Sequence, residues 1–354
     1  MKGDLRTVSR IATAHRFARF RRLSCWALIA VGVLTAVPAA AQTPLKFTLD
    51  FRFEGPSAPF LVAMDRGYYK AEGLDVTIEA AAGSIEPISR VASGGYDMGF
   101  GDINALIRLR DQRPGMPKPV FIVYNRPPFA ILGRKSRGIA TPKDLEGKRL
   151  GAPAGDGAFA QWPVFVKTTG IDASKVTIDT VGFAVREPML AAGQVDGIFG
   201  FSFSTLISVK ARGVPVEDIV MLRMADHGVV LYGNAIMVNP KFAAEKPEAV
   251  KGFLRAFLKG LKDTVKDPAA VIDSVLKRND AARRDIELER LNMAIADNIL
   301  TPEVTAHGYG EVDAERLERA IDQIALTYTF KTRPKPEDVF DESFLPAAAD
   351  RKVE

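Results

Sequence analysis

The sequence predicts an α/β fold of two lobes, each a mixed sheet flanked by helices, with two crossings between them. Three observations lead there. Residues 45–79 read as strand, loop, helix and strand, a βαβ unit. From there to residue 238 short apolar strands alternate with helical segments. The stretch 91–101, VASGGYDMGFG, returns at 190–200 as LAAGQVDGIFG, sharing Ala, Gly, Asp, Phe and Gly, as two lobes built on similar sheets would.

Residues 1–41 read as a secretory signal peptide and are set aside first. Lys2, Arg6, Arg10, Arg16, Arg19, Arg21 and Arg22 make a basic start. Residues 26–37 are an apolar run too short to span a bilayer, and Ala39-Ala40-Ala41 is a small-residue cleavage site, with cleavage expected after Ala41. Arg21-Arg22 leaves twin-arginine export open beside general secretion, and Cys25 precedes the apolar run, which argues against a lipid anchor. The chain has 48 Lys+Arg and 43 Asp+Glu; the segment holds seven and one of these, leaving 41 against 42. The basic balance therefore belongs to the export signal, and no nucleic-acid reading survives its removal. Cys25, the single cysteine, leaves with it, and disulfide and thiol chemistry with Cys25. Residues 42–354 suffice for two domains of ordinary size and contain no second long apolar run.

In the first unit, residues 45–53 read as a strand, with Phe51, Arg52, Phe53, Glu54, Gly55 and Pro56 at its carboxyl end. Ser57 is placed to cap a helix that carries Pro59 in its first turn. Phe60, Ala63, Met64 and Gly67 fall on one helical face, and Gly73 stops the helix in a left-handed conformation. Leu74, Val76 and Ile78 alternate with Asp75, Thr77 and Glu79, the period of a half-buried strand. Ser84 is placed to cap a short helix from Glu86-Pro87 to Gly94-Gly95. Residues 97–101 read as a strand, 104–110 as a helix and 120–124 as an apolar strand; the first crossing follows, and 129–133 is extended. Thr141-Pro142 opens a helix that Gly147 stops. Strands at 149–152, 176–181, 197–201 and 219–223 alternate with helices after the Gly-rich loop 153–158, at 186–192, and from 201 to Arg212. The return crossing falls at 226–233 and leads to a strand at 234–238. Helices are expected at 247–266, 268–277, 283–299 and 312–327, and residues 332–354 read as a polar, Pro-rich tail extended on the surface. The lobes are then 45–128 with 230–346, and 129–229, with 347–354 as a terminal tail.

Ligands of such sheets sit beyond the carboxyl ends of the strands. Four loops there are rich in glycine, acid and aromatic residues: 51–57, 101–104, 155–162 and 182–187. Glycine and aspartate also form turns and caps, so each residue has a plainer reading beside the functional one. Glu54, Asp102 and Glu187 can accept hydrogen bonds from an amine or a protonated ring nitrogen; Asp102 equally reads as a helix cap. Phe51, Phe53, Phe159, Trp162, Phe183, Phe201 and Tyr232 can sandwich a flat ring, though most belong in the core. Arg52 and Arg186 can clamp an anion, or pair with Glu54 and Glu187 and be less available to one. The ligand-binding candidates are Phe51, Arg52, Glu54, Ser57, Ser84, Asp102, Asn104, Asp156, Phe159, Trp162, Phe183, Arg186, Glu187 and Tyr232. Catalysis finds little support. His227 and His307 are isolated, with no metal-binding spacing, and no GxSxG elbow occurs. GAPAGDG at 151–157 lacks the Lys and Ser/Thr of a phosphate-binding loop. No catalytic residue, metal or cofactor is expected.

At AMDRGYYKAEGLDV (63–76), ASGGYDMGFG (92–101), GIATPKDLEGKRLG (138–151), MLAAGQVD (189–196) and NAIMV (234–238), the chain resembles a known family. These are the periplasmic substrate-binding proteins of ABC importers, in the group named for sulfonate and nitrate binding and for thiamine-pyrimidine-precursor binding and synthesis. The resemblance covers about 45–346. It implies a type II periplasmic-binding-protein fold, a small-molecule ligand held between lobes that close as a hinge, and delivery to a membrane permease with its ATPase. It implies a periplasmic monomer. Some relatives instead make the thiamine pyrimidine, consuming a histidine and a lysine-bound pyridoxal phosphate, with a cysteine-rich motif and iron. A chain without cysteine after export departs from them. The aromatic and acidic loops lean toward a pyrimidine or thiamine-precursor heterocycle. An alkanesulfonate, nitrate or aromatic carboxylate, held by Arg52, Arg186 and backbone N–H groups near residues 155–158, is the alternative.

Overall fold

The structure, a computed structural model, describes residues 42–353, so the signal-peptide reading of 1–41 lies outside the described residues. Ten strands are present among the described residues. The first sheet uses β1 (Thr43–Thr48), β2 (Leu74–Glu79), β3 (Met98–Asp102) and β4 (Lys118–Ile122). The chain then enters the second sheet with β5 (Phe129–Arg134), β6 (Arg149–Ala152), β7 (Thr177–Thr180), β8 (Gly197–Phe201) and β9 (Ile219–Arg223). It returns to the first with β10 (Asn234–Val238).

The strand orders are β2-β1-β3-β10-β4 and β7-β6-β8-β5-β9. Position for position these are the same sheet. In each, the fourth strand has arrived from the other sheet, and it runs antiparallel to both neighbours. The echo between 91–101 and 190–200 has this as its physical basis. Its apolar halves are β3 and β8, the third strand of each sheet, each entered from a helix, Glu86–Ala92 or Arg186–Ala191.

The first sheet packs on the helices Ala58–Asp65 and Pro247–Lys266 through Phe47, Phe60, Phe253 and Phe257, with the Phe60 and Phe257 rings 4.4 Å apart. The two helices touch so closely at Gly260 that a Cβ there would lie 2.4 Å from the Pro59 carbonyl oxygen. A second core draws on both sheets: Ile103, Ile122 and Ala235 pack with Phe129, Ile131 and Phe199, and the helix Ala314–Ala325 covers them with Leu317, Ile321 and Ile324. Apolar packing is therefore continuous behind the crossings.

Several elements depart from expectation. β1 stops at Thr48 rather than 53: its ladder with β2 ends at Glu79, and its ladder with β3 ends at Gly99. The helix expected to run to Gly73 breaks earlier. Gly67 takes φ +72°, and a separate turn, Tyr68–Ala71, follows. Ser57 does not cap: its hydroxyl donates to the Glu54 carbonyl at 2.7 Å. Ser84 does not cap either, since Ile85 holds the N-cap position. Residues 268–277 form two short helices, Pro268–Val271 and Asp273–Leu276. The helix Arg284–Ala294 widens into a π-turn at Ile295–Ile299, and an unexpected helix, Pro302–His307, follows. The segment 332–354 is not simply an extended surface tail. It forms the turn Pro336–Val339, buries Phe340, and anchors Arg351, whose guanidinium donates to the Tyr309 carbonyl at 3.1 Å.

Candidate functional site

The carboxyl ends of the strands in both sheets converge on one cavity of about 40 Å³. Equivalent loops of the two sheets face each other across it. Residues 50–57 after β1 meet Asp156 and Gly157 after β6, and Gly83 and Ser84 after β2 meet Phe183 and Arg186 after β7. Tyr124 from the first crossing, with Phe201 at the end of β8 and Phe203 and Ser204 after it, completes the wall.

Eight of the expected residues line this cavity: Phe51, Arg52, Glu54, Ser57, Ser84, Asp156, Phe183 and Arg186. Phe51 and Phe183 meet across the two sides with centroids 5.2 Å apart, and the Arg52 guanidinium lies 4.5 Å from the Phe51 ring. Together they form one continuous patch of the wall. Ser84 is 2 % exposed, and its hydroxyl has no hydrogen-bond partner.

The cations are already committed. Arg186, 2 % exposed, donates to Asp156 at 2.8 Å, to Glu187 at 2.7 Å and to the Phe199 carbonyl at 3.1 Å. Burial alone would lower its pKa, but Glu187 and Asp156 outweigh that and raise it. Burial pushes Asp156 up, although Arg186 and two backbone N–H groups pull the other way. Glu54 accepts from Arg52 and from Ser204, each at 2.9 Å, with the Arg290 Nε 3.5 Å away. Arg290 itself pairs with Glu287, which also accepts from the Gly55 N–H at 2.7 Å. Around the cavity, Arg52, Arg186 and Arg290 thus face Asp50, Glu54, Asp156, Glu187 and Glu287. Carboxylates are in excess.

Asp50 was not among the sequence candidates. It lines the cavity, accepts from the Asn234 side chain at 2.9 Å, and is in no ion pair among the described residues. Burial pushes its carboxyl up to about 7, and the charge of Glu54 adds to the rise. Its signal was hidden by reading residues 45–53 as one strand, which put Asp50 inside the element rather than at its mouth. Tyr124, Phe203 and Ser204 were missed for the related reason that they stand at element ends on the crossing and after β8.

Six candidates lie elsewhere. Asp102 caps the helix Ile103–Gln112, accepting from the Asn104 N–H at 2.9 Å, and its other oxygen accepts from Gln161 at 2.7 Å. The plainer cap reading is the one realised. Asn104 donates to Asp102 and to the Tyr232 carbonyl. Phe159 and Trp162 pack on Phe199 in the core. Glu187 sits behind Arg186, and Tyr232 is fully buried at the return crossing, donating to Glu303 at 2.9 Å.

No group of three or more His, Cys, Asp or Glu among the described residues is arranged to hold a metal ion. Pyridoxal phosphate requires a lysine amine for its imine, and no lysine or histidine lines the cavity among the described residues. The wall does not fit that group.

Comparison with known proteins places these features in a family. Residues 55–271 match the family model described as NMT1/THI5 like. The chain is 25 % identical over 297 residues to the riboflavin-binding protein RibY of Chloroflexus aurantiacus, covering 82 % of this chain and 83 % of that one. It is 26 % identical over 296 residues to the formylaminopyrimidine-binding protein of Halalkalibacterium halodurans, covering 81 % and 86 %. Over 220 residues it is 29 % identical to a 4-amino-5-hydroxymethyl-2-methylpyrimidine phosphate synthase of Schizosaccharomyces pombe, covering 59 % and 62 %. Among solved structures, the alkanesulfonate-binding protein SsuA of Xanthomonas axonopodis pv. citri superposes with a TM-score of 0.65 at 15 % identity, covering 85 % and 97 %. That likeness establishes the periplasmic-binding-protein fold.

Proposed function

Since the chain belongs to the NMT1/THI5-like family, we propose that it is the solute-binding component of an ABC import system, acting outside the cytoplasmic membrane on a flat nitrogen heterocycle. One observation carries the choice of ligand. Every arginine near the cavity is already paired with a carboxylate, and Asp50 is left over to accept a hydrogen bond. Such a wall favours a ligand that presents N–H donors or a protonated ring nitrogen, with Phe51 and Phe183 available to stack on it. A sulfonate or nitrate would meet excess negative charge. Relatives named for riboflavin and formylaminopyrimidine binding support the heterocycle, and a wall without lysine or histidine supports binding over synthesis.

In this reading residues 45–128 with 230–346 form one lobe and 129–229 the other. They part at the crossings, capture the ligand, and present the closed form to a permease and its ATPase, one copy at a time. The anion reading keeps one point in its favour: the Arg52 side chain is half exposed and holds Glu54 through a single nitrogen.

A thermal-shift screen of residues 42–354 separates the two. Formylaminopyrimidine, hydroxymethylpyrimidine and riboflavin stand on one side, alkanesulfonates, nitrate and aromatic carboxylates on the other. A ligand at ~100 times its Kd adds about 2.7 kcal/mol, a rise of several degrees. The expected result is a shift with a heterocycle that weakens or disappears in Asp50→Asn. A shift confined to anions and lost in Arg52→Ala would overturn the ligand class, and no shift with either set would remove the solute-binding reading.

A further inference from the structure

The two crossings are tied to each other and then gripped from behind. The Gly233 N–H donates to the Tyr124 carbonyl at 2.9 Å, and the Tyr124 N–H to the Asn234 carbonyl at 3.1 Å. A Cβ on Gly233 would stand 2.7 Å from the Tyr124 Cβ, so the crossings touch at backbone distance. Arg316, near the start of the helix Ala314–Ala325, reaches both. One guanidinium nitrogen donates to the Asn125 carbonyl at 2.7 Å and to the Leu231 carbonyl at 3.0 Å. The other donates to the Asn125 side chain at 3.0 Å and to Glu303 at 2.8 Å.

Glu303 closes the circle. Its Oε1 accepts from Asn125 at 2.8 Å and from the Tyr232 hydroxyl at 2.9 Å, and the Arg316 guanidinium lies 3.9 Å from the centre of the Tyr232 ring. Asn125 is 3 % exposed and Tyr232 fully buried. Farther along the first crossing, the Arg126 N–H donates to the Asn298 carbonyl at 3.1 Å and Asn298 returns a bond to the Arg126 carbonyl at 3.0 Å, from within the π-turn Ile295–Ile299. Tyr124 is the one residue this network shares with the cavity wall; Arg316, Asn125, Glu303 and Tyr232 do not line the cavity.

We infer that Arg316 is the positioning residue of the hinge: by holding a backbone carbonyl of each crossing on one guanidinium nitrogen, and Asn125 and Glu303 on the other, it fixes the angle at which the lobes rest and disfavours their parting. The inference rests on the two-lobe reading above but needs no ligand. A guanidinium suits the role because its two terminal nitrogens meet four acceptors in one plane, whereas an ammonium carries its three donors on a single nitrogen and cannot serve all four.

The test is a distance measurement on unliganded protein of residues 42–354. The described residues contain no cysteine, so Val216→Cys in the second lobe and Lys241→Cys in the first, both well exposed, take labels specifically. The inter-label distance distribution is read by double electron–electron resonance. Expected is a single population in the parent, and a second, longer population in Arg316→Ala. Arg316→Lys keeps the charge but not the fork, and is expected to shift the same way to a smaller degree; it carries the test should the alanine variant fail to fold. A folded Arg316→Ala or Arg316→Lys with the parent's distribution would overturn the clasp and leave the solute-binding reading standing. Failure of the ligand screen would do the reverse.

Discussion

Arg186→Ala is expected to cost the fold about 3–5 kcal/mol, because it leaves two carboxylates buried without their cation. Asp156 and Glu187 are each about as buried as Arg186 itself, and neither has a second basic partner within the ion pairs the structure shows. Urea unfolding of residues 42–354 at neutral pH measures the loss. Arg186→Lys should recover only part of it, since one ammonium cannot serve Asp156, Glu187 and the Phe199 carbonyl in the same geometry. A loss within ±0.5 kcal/mol, the range of ordinary surface changes, would mean that the charges are solvated and that Arg186, Asp156 and Glu187 are not the buried network described.

Asp50→Asn should have the opposite sign. The Asp50 carboxyl is pushed up to about 7, so the folded chain holds this proton more tightly than the unfolded chain, whose carboxyl has the ordinary value of 3.8. The stability linked to that proton is fully present below about pH 4 and is lost as the pH rises to about 7. Asparagine cannot ionise. The stability of Asp50→Asn relative to the parent should therefore grow between pH 4 and pH 8, by about 2–4 kcal/mol, and level off above. Melting curves at four or five pH values read this directly, and a difference flat with pH would show that Asp50 titrates as an ordinary carboxyl. The same variant should weaken the heterocycle shift. Gaining stability while losing ligand is the pattern of a side chain kept for function at a cost to the fold.

Much of the scaffold was legible because it rests on local signals. Gly197–Phe201, Ile219–Arg223, Asn234–Val238 and Pro247–Lys266 fall where apolar period and flanking Gly or Pro put them. The echo on β3 and β8 carried the two-sheet architecture. Legibility failed where a long-range partner decides. Nothing near Thr48 says that β2 will end and release the chain, so Asp50 was buried inside an imagined strand. Arg290 and Glu287 approach the Glu54–Gly55 turn from more than 230 positions away, on a helix whose sequence reads only as charged. Asp102 and Tyr232 failed in the other direction: an acid and an aromatic at strand ends look like ligand groups, yet one satisfies a helix terminus and the other sits in the grip on the crossings. Chemistry at a loop is visible in sequence; which side of the loop faces the cavity is set by the tertiary partner.

The size of the cavity bears on rates as much as on affinity. A volume of about 40 Å³ is well below the ~150 Å³ that admits a benzene ring. An aromatic heterocycle needs more room than this arrangement leaves, so the walls must part or the Phe51, Arg52 and Phe183 side chains on them must move. Uptake is then gated. In stopped-flow mixing, the observed association rate should climb with ligand concentration and then saturate at the opening rate instead of rising linearly. The plateau would be a property of the protein, the same for every ligand that binds, and faster in Arg52→Ala, which removes the guanidinium stacked on Phe51 and paired with Glu54.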